Sequence, residues 1–198
     1  AALPEALSTS YLNLFMEGGA KAGDVAYISA GTSGLASLMI PLAKAFGMRV
    51  ITSVRSPERA EAIAHLAADV VIDTSQECVP ERLRIEKEKG YAVNIAVDCL
   101  GGETVGECLP HLAFGCRWIV IATLAGDVSS VDLRSLYSKN IRLIGSTLRS
   151  KPLAVKADIA AKLVEVVWPK VQSGEIRPTI YRTLPITEAE AGQALLES

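Results

Sequence analysis

Six short, continuous apolar runs alternate with amphipathic stretches, and a turn crowded with small residues follows the first run. Together these predict an α/β fold: a doubly wound parallel sheet of six strands with helices on both faces. Unbroken hydrophobicity, rather than alternation, is what a parallel strand shows when both of its faces are covered.

The strands are expected at 25–29, 49–52, 70–73, 93–98, 117–121 and 141–145. A helix over 4–16 precedes them. The helix at 35–46 ends at Gly47, a residue suited to the left-handed position after a last turn. The helix at 57–66 opens with Ser56 as its cap and Pro57 in its first turn. Its Ala60, Ile63, Ala64 and Ala67 form one apolar stripe. The stretch 80–89 is highly charged and belongs on the outside, ending at Gly90. Shorter helices are expected at 104–109 and 132–139. A long one at 155–168 carries Val155, Ile159, Leu163, Val166 and Val167 on one face, with Trp168 packed against the first helix. Residues 174–184 form an exit segment, and a helix over 187–197 opens with Thr187 and Glu190 as a capping box. Crossovers between parallel strands are right-handed, and two halves of three strands give the order 3-2-1-4-5-6 of a Rossmann-type sheet. Residues 1–198 make one domain, and a chain that stops on a helix is expected to be a fragment.

Composition narrows the function. Hydrophobic residues make up 49% of the chain and its net charge is −2. No apolar stretch reaches the roughly 18–20 residues of a membrane span, and no signal peptide is visible at the start. Acids and bases are interspersed and aromatics are only 5%, which argues against a nucleic-acid partner. Cys78, Cys99, Cys108 and Cys116, with His65 and His111, lack metal-site spacing. No metal is expected, and the thiols are read as reduced in a cytoplasmic protein.

The turn after the first strand is Ala30-Gly31-Thr32-Ser33-Gly34-Leu35-Ala36. Small residues between a strand and a helix let backbone amides reach a pyrophosphate at the helix N-terminus. The competing reading is a turn that only packs helix on strand. A second signal lies after the second strand. Dinucleotide sites that take NAD carry an acid there, for the ribose hydroxyls. Here no acid occurs between Asp24 and Glu58, and Ser53, Arg55 and Ser56 stand in its place. An arginine at that position suits a 2′-phosphate, which favours NADPH. The alternative is a solvated Arg55 with Ser56 as a simple cap. The missing acid also weighs against a methyltransferase-like domain.

Six segments carry a resemblance: AALPEA at the start, AGTSG at 30–34, DCLGG at 98–102, CRWIV at 116–120, GSTLRS at 145–150 and VWPKVQSGEIRP at 167–178. With these the chain resembles the zinc-independent quinone oxidoreductases of the medium-chain dehydrogenase/reductase superfamily. The resemblance covers essentially the whole chain, as the cofactor-binding domain alone. It implies hydride transfer from NADPH to a quinone or related α,β-unsaturated carbonyl. It implies a GroES-like catalytic domain that this chain lacks, so weak or no turnover by the chain alone. It also implies a homodimer paired through the edge strand 141–145. By position, Thr32, Ser33, Gly34 and Leu35 would cradle the pyrophosphate. Ser53, Arg55, Ser56 and Thr74 would face the 2′-phosphate end, although relatives often have a tyrosine at Thr74. Leu100 would border the adenosine, and Thr123 and Leu124 the nicotinamide. Thr147 and Leu148 would hold its carboxamide, and Arg149 is open between substrate and a salt bridge. No residue is nominated as catalytic. An enoyl-thioester reductase domain and a non-catalytic NADPH-binding module are the alternative functions. Asp98 is expected to order the turn that follows it, and Trp118 to lie in the core.

Overall fold

The structure, a computed structural model, describes residues 2–197. Its single sheet is all-parallel, in the order β3-β2-β1-β4-β5-β6. The strands are β1 Val25–Ile28, β2 Arg49–Val54, β3 Val70–Asp73, β4 Ile95–Asp98, β5 Arg117–Val120 and β6 Arg142–Gly145. Alternate residues along a strand point to opposite faces, and the core divides accordingly. Ala26, Ile28, Val50, Ile95, Val97 and Ile119 pack with helices α1 (Pro4–Tyr11) and α2 (Ala36–Ala45), joined by Ala60 of α3 (Pro57–Ala62). Tyr27, Ile51, Ala96 and Trp118 pack on the other side with α4 (Val79–Glu88) and α5 (Glu103–Cys108), joined by Leu136 of α6 (Leu133–Ser138). Each large apolar side chain, fully buried, contributes about 1.5–3 kcal/mol.

Charged groups fix the frame around this core. Arg117, at the start of β5, donates to the carbonyls of Gly18 and Gly19 and pairs with Asp24 at 3.2 Å. That clamps the end of the N-terminal helix under the sheet. Lys151, in the loop after β6, pairs with Glu17 at 2.5 Å and ties the other edge to the same helix.

Several helices depart from their expected form. The first holds α-geometry to Tyr11 and then widens into a π-type segment, Leu12–Glu17. The helix expected over 57–66 ends at Ala62. A 3-10 turn follows, and Ala67 stops it in left-handed geometry at φ +57°. The long helix begins at Leu153 as α7 (Leu153–Lys162), widens at Leu163–Val167, and continues as α8 (Trp168–Gln172), where Pro169 removes an amide from the first turn. Widening rotates the face that meets the core. Val167 is completely buried, and Trp168, expected to pack against the first helix, is 44% exposed. Thr187 lies inside a 3-10 turn, Ile186–Glu188, with no side-chain cap, so the expected capping box is not formed there. The final helix, α9, is Ala189–Glu197. Trp118 is buried as expected, and β6 is an edge strand whose residues are largely exposed.

Candidate functional site

A cleft of about 500 Å³ opens at the carboxyl ends of β1, β2 and β4. In open α/β sheets this is where the strand order reverses and ligands bind. Its floor is set by the turn after β1. Ala30 takes a left-handed conformation, φ +53°, which an L side chain adopts only where its surroundings hold it there. Gly31 then passes so close to β2 that its amide donates 2.8 Å to the Ser53 carbonyl. Ser33 closes the turn: its amide donates 2.8 Å to the Ala30 carbonyl, and its hydroxyl accepts from the Ala36 amide at 3.1 Å, at the start of α2. Among the described residues, the amides of Thr32, Gly34 and Leu35 donate to no protein acceptor. They stand beside the positive end of the α2 dipole, a setting that favours an anion.

The second wall follows β2. Ser53 lines the cleft, but it is buried, and its hydroxyl shares a 3.1 Å hydrogen bond with the Tyr27 phenol, whose ionisation burial suppresses. Ser56 caps α3, accepting from the Arg59 amide at 3.4 Å. Arg55 lines the cleft from the β2–α3 turn. Arg59 joins it from the first turn of α3, with Nη1 3.4 Å from the Thr32 hydroxyl. Sequence reading missed Arg59. The available signal was its spacing: four residues after Arg55 and at the start of a helix, it turns back toward the same loop. Thr74 completes this wall and donates 3.0 Å to the Val54 carbonyl.

The far wall comes from β4 and β5. Asp98 orders its turn as expected, accepting from the Leu100 amide at 2.9 Å and the Gly101 amide at 3.1 Å. Leu100 and Leu124 line the cleft, and Leu124 is 76% exposed at its lip. The two turns are stitched together, because the Leu124 amide donates to the Cys99 carbonyl at 3.0 Å and the Ala125 amide to the Leu100 carbonyl at 2.7 Å. Thr123 is exposed and does not line the cleft; its hydroxyl donates to Asp127.

The structure therefore gathers Thr32, Ser33, Ser53, Arg55, Thr74, Leu100 and Leu124 around one cleft. Gly34 and Leu35 follow the same loop into α2. Thr147 is exposed beyond β6. Leu148 and Arg149 line a separate groove of about 380 Å³, with Ser8 and Thr9 of α1 and Lys156 and Ile159 of α7. Arg149 makes no salt bridge among the described residues; its carbonyl accepts from Lys156 at 2.8 Å.

A family model described as zinc-binding dehydrogenase matches residues 34–166. A protein of Leishmania amazonensis named "Probable quinone oxidoreductase" is 31% identical over 124 residues, which are 62% of this chain and 36% of that protein. An acryloyl-coenzyme A reductase of Sulfurisphaera tokodaii is 25% identical over 187 residues, 94% of this chain and 51% of the relative. Among solved structures, the quinone oxidoreductase of Thermus thermophilus, described together with its NADPH complex, superposes with a TM-score of 0.80. It is 27% identical, over 100% of this chain and 62% of that one. This chain thus spans about a third to a half of the two curated relatives and under two thirds of the solved structure.

Proposed function

We propose that this chain, which belongs to the zinc-binding dehydrogenase family, is the NADPH-binding part of a reductase that acts on a conjugated carbonyl. The observation that carries the reading is the pair Arg55 and Arg59 on one cleft wall, with no acid between Asp24 and Glu58. A 2′-phosphate fits two guanidiniums, and an acid there would repel it.

The residues present suit the rest of the cofactor. The amides of Thr32, Gly34 and Leu35 are oriented donors at the start of α2 and would take the pyrophosphate. Gly31 lets the backbone come down onto β2, so no side chain crowds that approach. Leu100 and Leu124 offer apolar surface to the adenosine and nicotinamide rings. NADPH supplies the hydride, and the protein's part is to orient it and exclude water. Thr123, held by Asp127, and the exposed Leu124 are read as the nicotinamide border. Thr147 and Leu148 are read as carboxamide contacts beyond the cleft.

Quinones and acryloyl thioesters share an α,β-unsaturated carbonyl. That shared feature is the acceptor class proposed here, with a quinone first and an enoyl thioester second. Such an acceptor is already electrophilic and needs no Lewis acid. Among the described residues no group of three or more His, Cys, Asp or Glu could hold a metal ion. The acceptor wall is assigned to a GroES-like domain outside these 198 residues, and the β6 edge to a homodimer seam, since an exposed strand edge pairs readily.

Fluorescence titration with NADPH and NADH tests the reading. NADPH is expected to bind the tighter. Arg55→Ala and Arg59→Ala are each expected to weaken NADPH roughly 10- to 100-fold, the equivalent of about 1.5–3 kcal/mol for a charged hydrogen bond, and to leave NADH little changed. Equal affinity for the two nucleotides, or no binding of either, overturns it.

A further inference from the structure

On the opposite side of the sheet, at the amino ends of the strands, two lysines converge on one carbonyl. Lys87 of α4 donates to the Pro110 oxygen at 3.2 Å. Lys139, just after α6, donates to that same oxygen and to the Leu112 carbonyl at 3.2 Å. The Lys139 backbone is pinned, its carbonyl accepting from the Gly115 amide at 2.7 Å.

Neither ammonium has a carboxylate. Lys44, Lys89, Lys151, Lys162 and Lys170 each rest on an Asp or Glu, and among the described residues Lys87 and Lys139 do not. The groups facing Lys139 are Lys87 from α4, His111 from the turn before β5, and Cys116 from the segment leading into β5. Arg84 of α4, like Lys87 and Lys139, opposes a positive charge on His111. The acid that acts on His111, Glu81, is taken by Arg84 at 2.6 Å. Cys116 is buried, and burial pushes its thiol up to about 12, so it supplies no anion.

We propose that Lys139 is a modification site, the lysine of this chain that takes an acyl group from a thioester ahead of the others. The geometry suits a free amine. With Lys87 on the same oxygen and no carboxylate beside either among the described residues, the neutral form is favoured over a second ammonium; two carbonyls receive its two N–H groups, and its lone pair is left for attack. Burial, reinforced by Lys87, lowers the Lys139 ammonium to about 8, which supplies the neutral form near physiological pH. In the reaction the Lys139 Nζ attacks the thioester carbonyl carbon. The C–N bond forms, the C–S bond breaks, and the nitrogen's proton leaves with the thiol. The product amide keeps one N–H for the Pro110 carbonyl, and the repulsion with Lys87 is gone.

The test is incubation of the purified chain with acetyl-coenzyme A at pH 7.5, with site occupancy followed by peptide mass spectrometry. Acetyl-N-acetylcysteamine, an uncharged thioester, serves as a second donor, so that attraction of coenzyme phosphates to lysines is not what is read. Lys139 is expected to react at least ten-fold faster than Lys21 or Lys156 with both donors. Lys87→Gln removes the neighbouring charge and is expected to slow Lys139 two- to three-fold, with Lys21 unaffected. A Lys139 rate no higher than that of Lys21, a preference seen only with the coenzyme, or no change in Lys87→Gln overturns the proposal.

Discussion

No side chain fits at Gly31, because a Cβ there would stand 2.6 Å from Thr52 Oγ1. Thr52 has no room to yield: it is fully buried, and its hydroxyl donates 2.7 Å to the Ile28 carbonyl. The pair therefore seats the whole turn between β1 and β2. Gly31→Ala is expected to cost about 1–3 kcal/mol, the usual range for overpacking, read as a lower urea midpoint. Because the displaced turn carries the free amides of Thr32, Gly34 and Leu35, NADPH affinity falls with it. An unchanged midpoint would refute this account of the turn.

Asp98 is the counterpart across the cleft. It is buried and accepts from the Leu100 amide, the Gly101 amide and, at 3.4 Å, the Trp118 indole. Asp98→Ala strands those donors, at about 1–3 kcal/mol for each one that water does not reach. Asp98→Asn keeps one carbonyl acceptor and is expected to lose less. The ranking of the two variants in chemical denaturation checks this, and an alanine variant as stable as the asparagine variant would contradict it.

How much of this was legible beforehand follows from the physics of each feature. The parallel sheet could be read because buried parallel strands are written as unbroken apolar runs, and its order because right-handed crossovers leave few arrangements of two three-strand halves. Arg55 could be read because an arginine replaced an expected acid. Arg59 escaped because its place on the cleft wall depends on where the first turn of α3 points, not on residue type. The exposure of Trp168 escaped for a related reason. The widened segment Leu163–Val167 shifts the helical phase by a fraction of a turn, and a 3.6-residue pattern carries no mark of that. Leu148 and Thr147 follow an edge strand, so their placement depends on a loop that the periodicity of the sheet does not constrain.

Two carboxyls contribute acid sensitivity. Burial opposes the charges on Asp69 and Glu86, and cations outweigh it: Lys44 and Arg49 at Asp69, and Lys89, Arg49 and Arg82 at Glu86. Both therefore ionise below their ordinary values of 3.8 and 4.5. A depressed carboxyl stabilises the fold above its unfolded value, and that contribution disappears as pH falls through the folded one. Stability is thus expected to drop below about pH 4.5, and less steeply in Glu86→Gln, which has no charge to lose. Urea midpoints at pH 3 and pH 7 decide it, and equal acid losses in the two proteins would refute the role of Glu86.

Lys139 predicts the opposite limb. Its ammonium is lowered from 10.5 to about 8 by burial and by Lys87. Below about pH 8, both the folded and the unfolded chain hold this proton, and the folded state bears the full penalty of a crowded charge. Between the two values the unfolded chain binds the proton and the folded chain does not, so stability rises with pH across that window. Other lysines lose their salt bridges in the same range, so the comparison must be with Lys139→Gln. The wild-type stability minus that of the variant is expected to climb from about pH 8 to about pH 10. A difference that stays flat or falls would mean that Lys139 keeps its proton, and that its two carbonyl acceptors hold an ordinary ammonium.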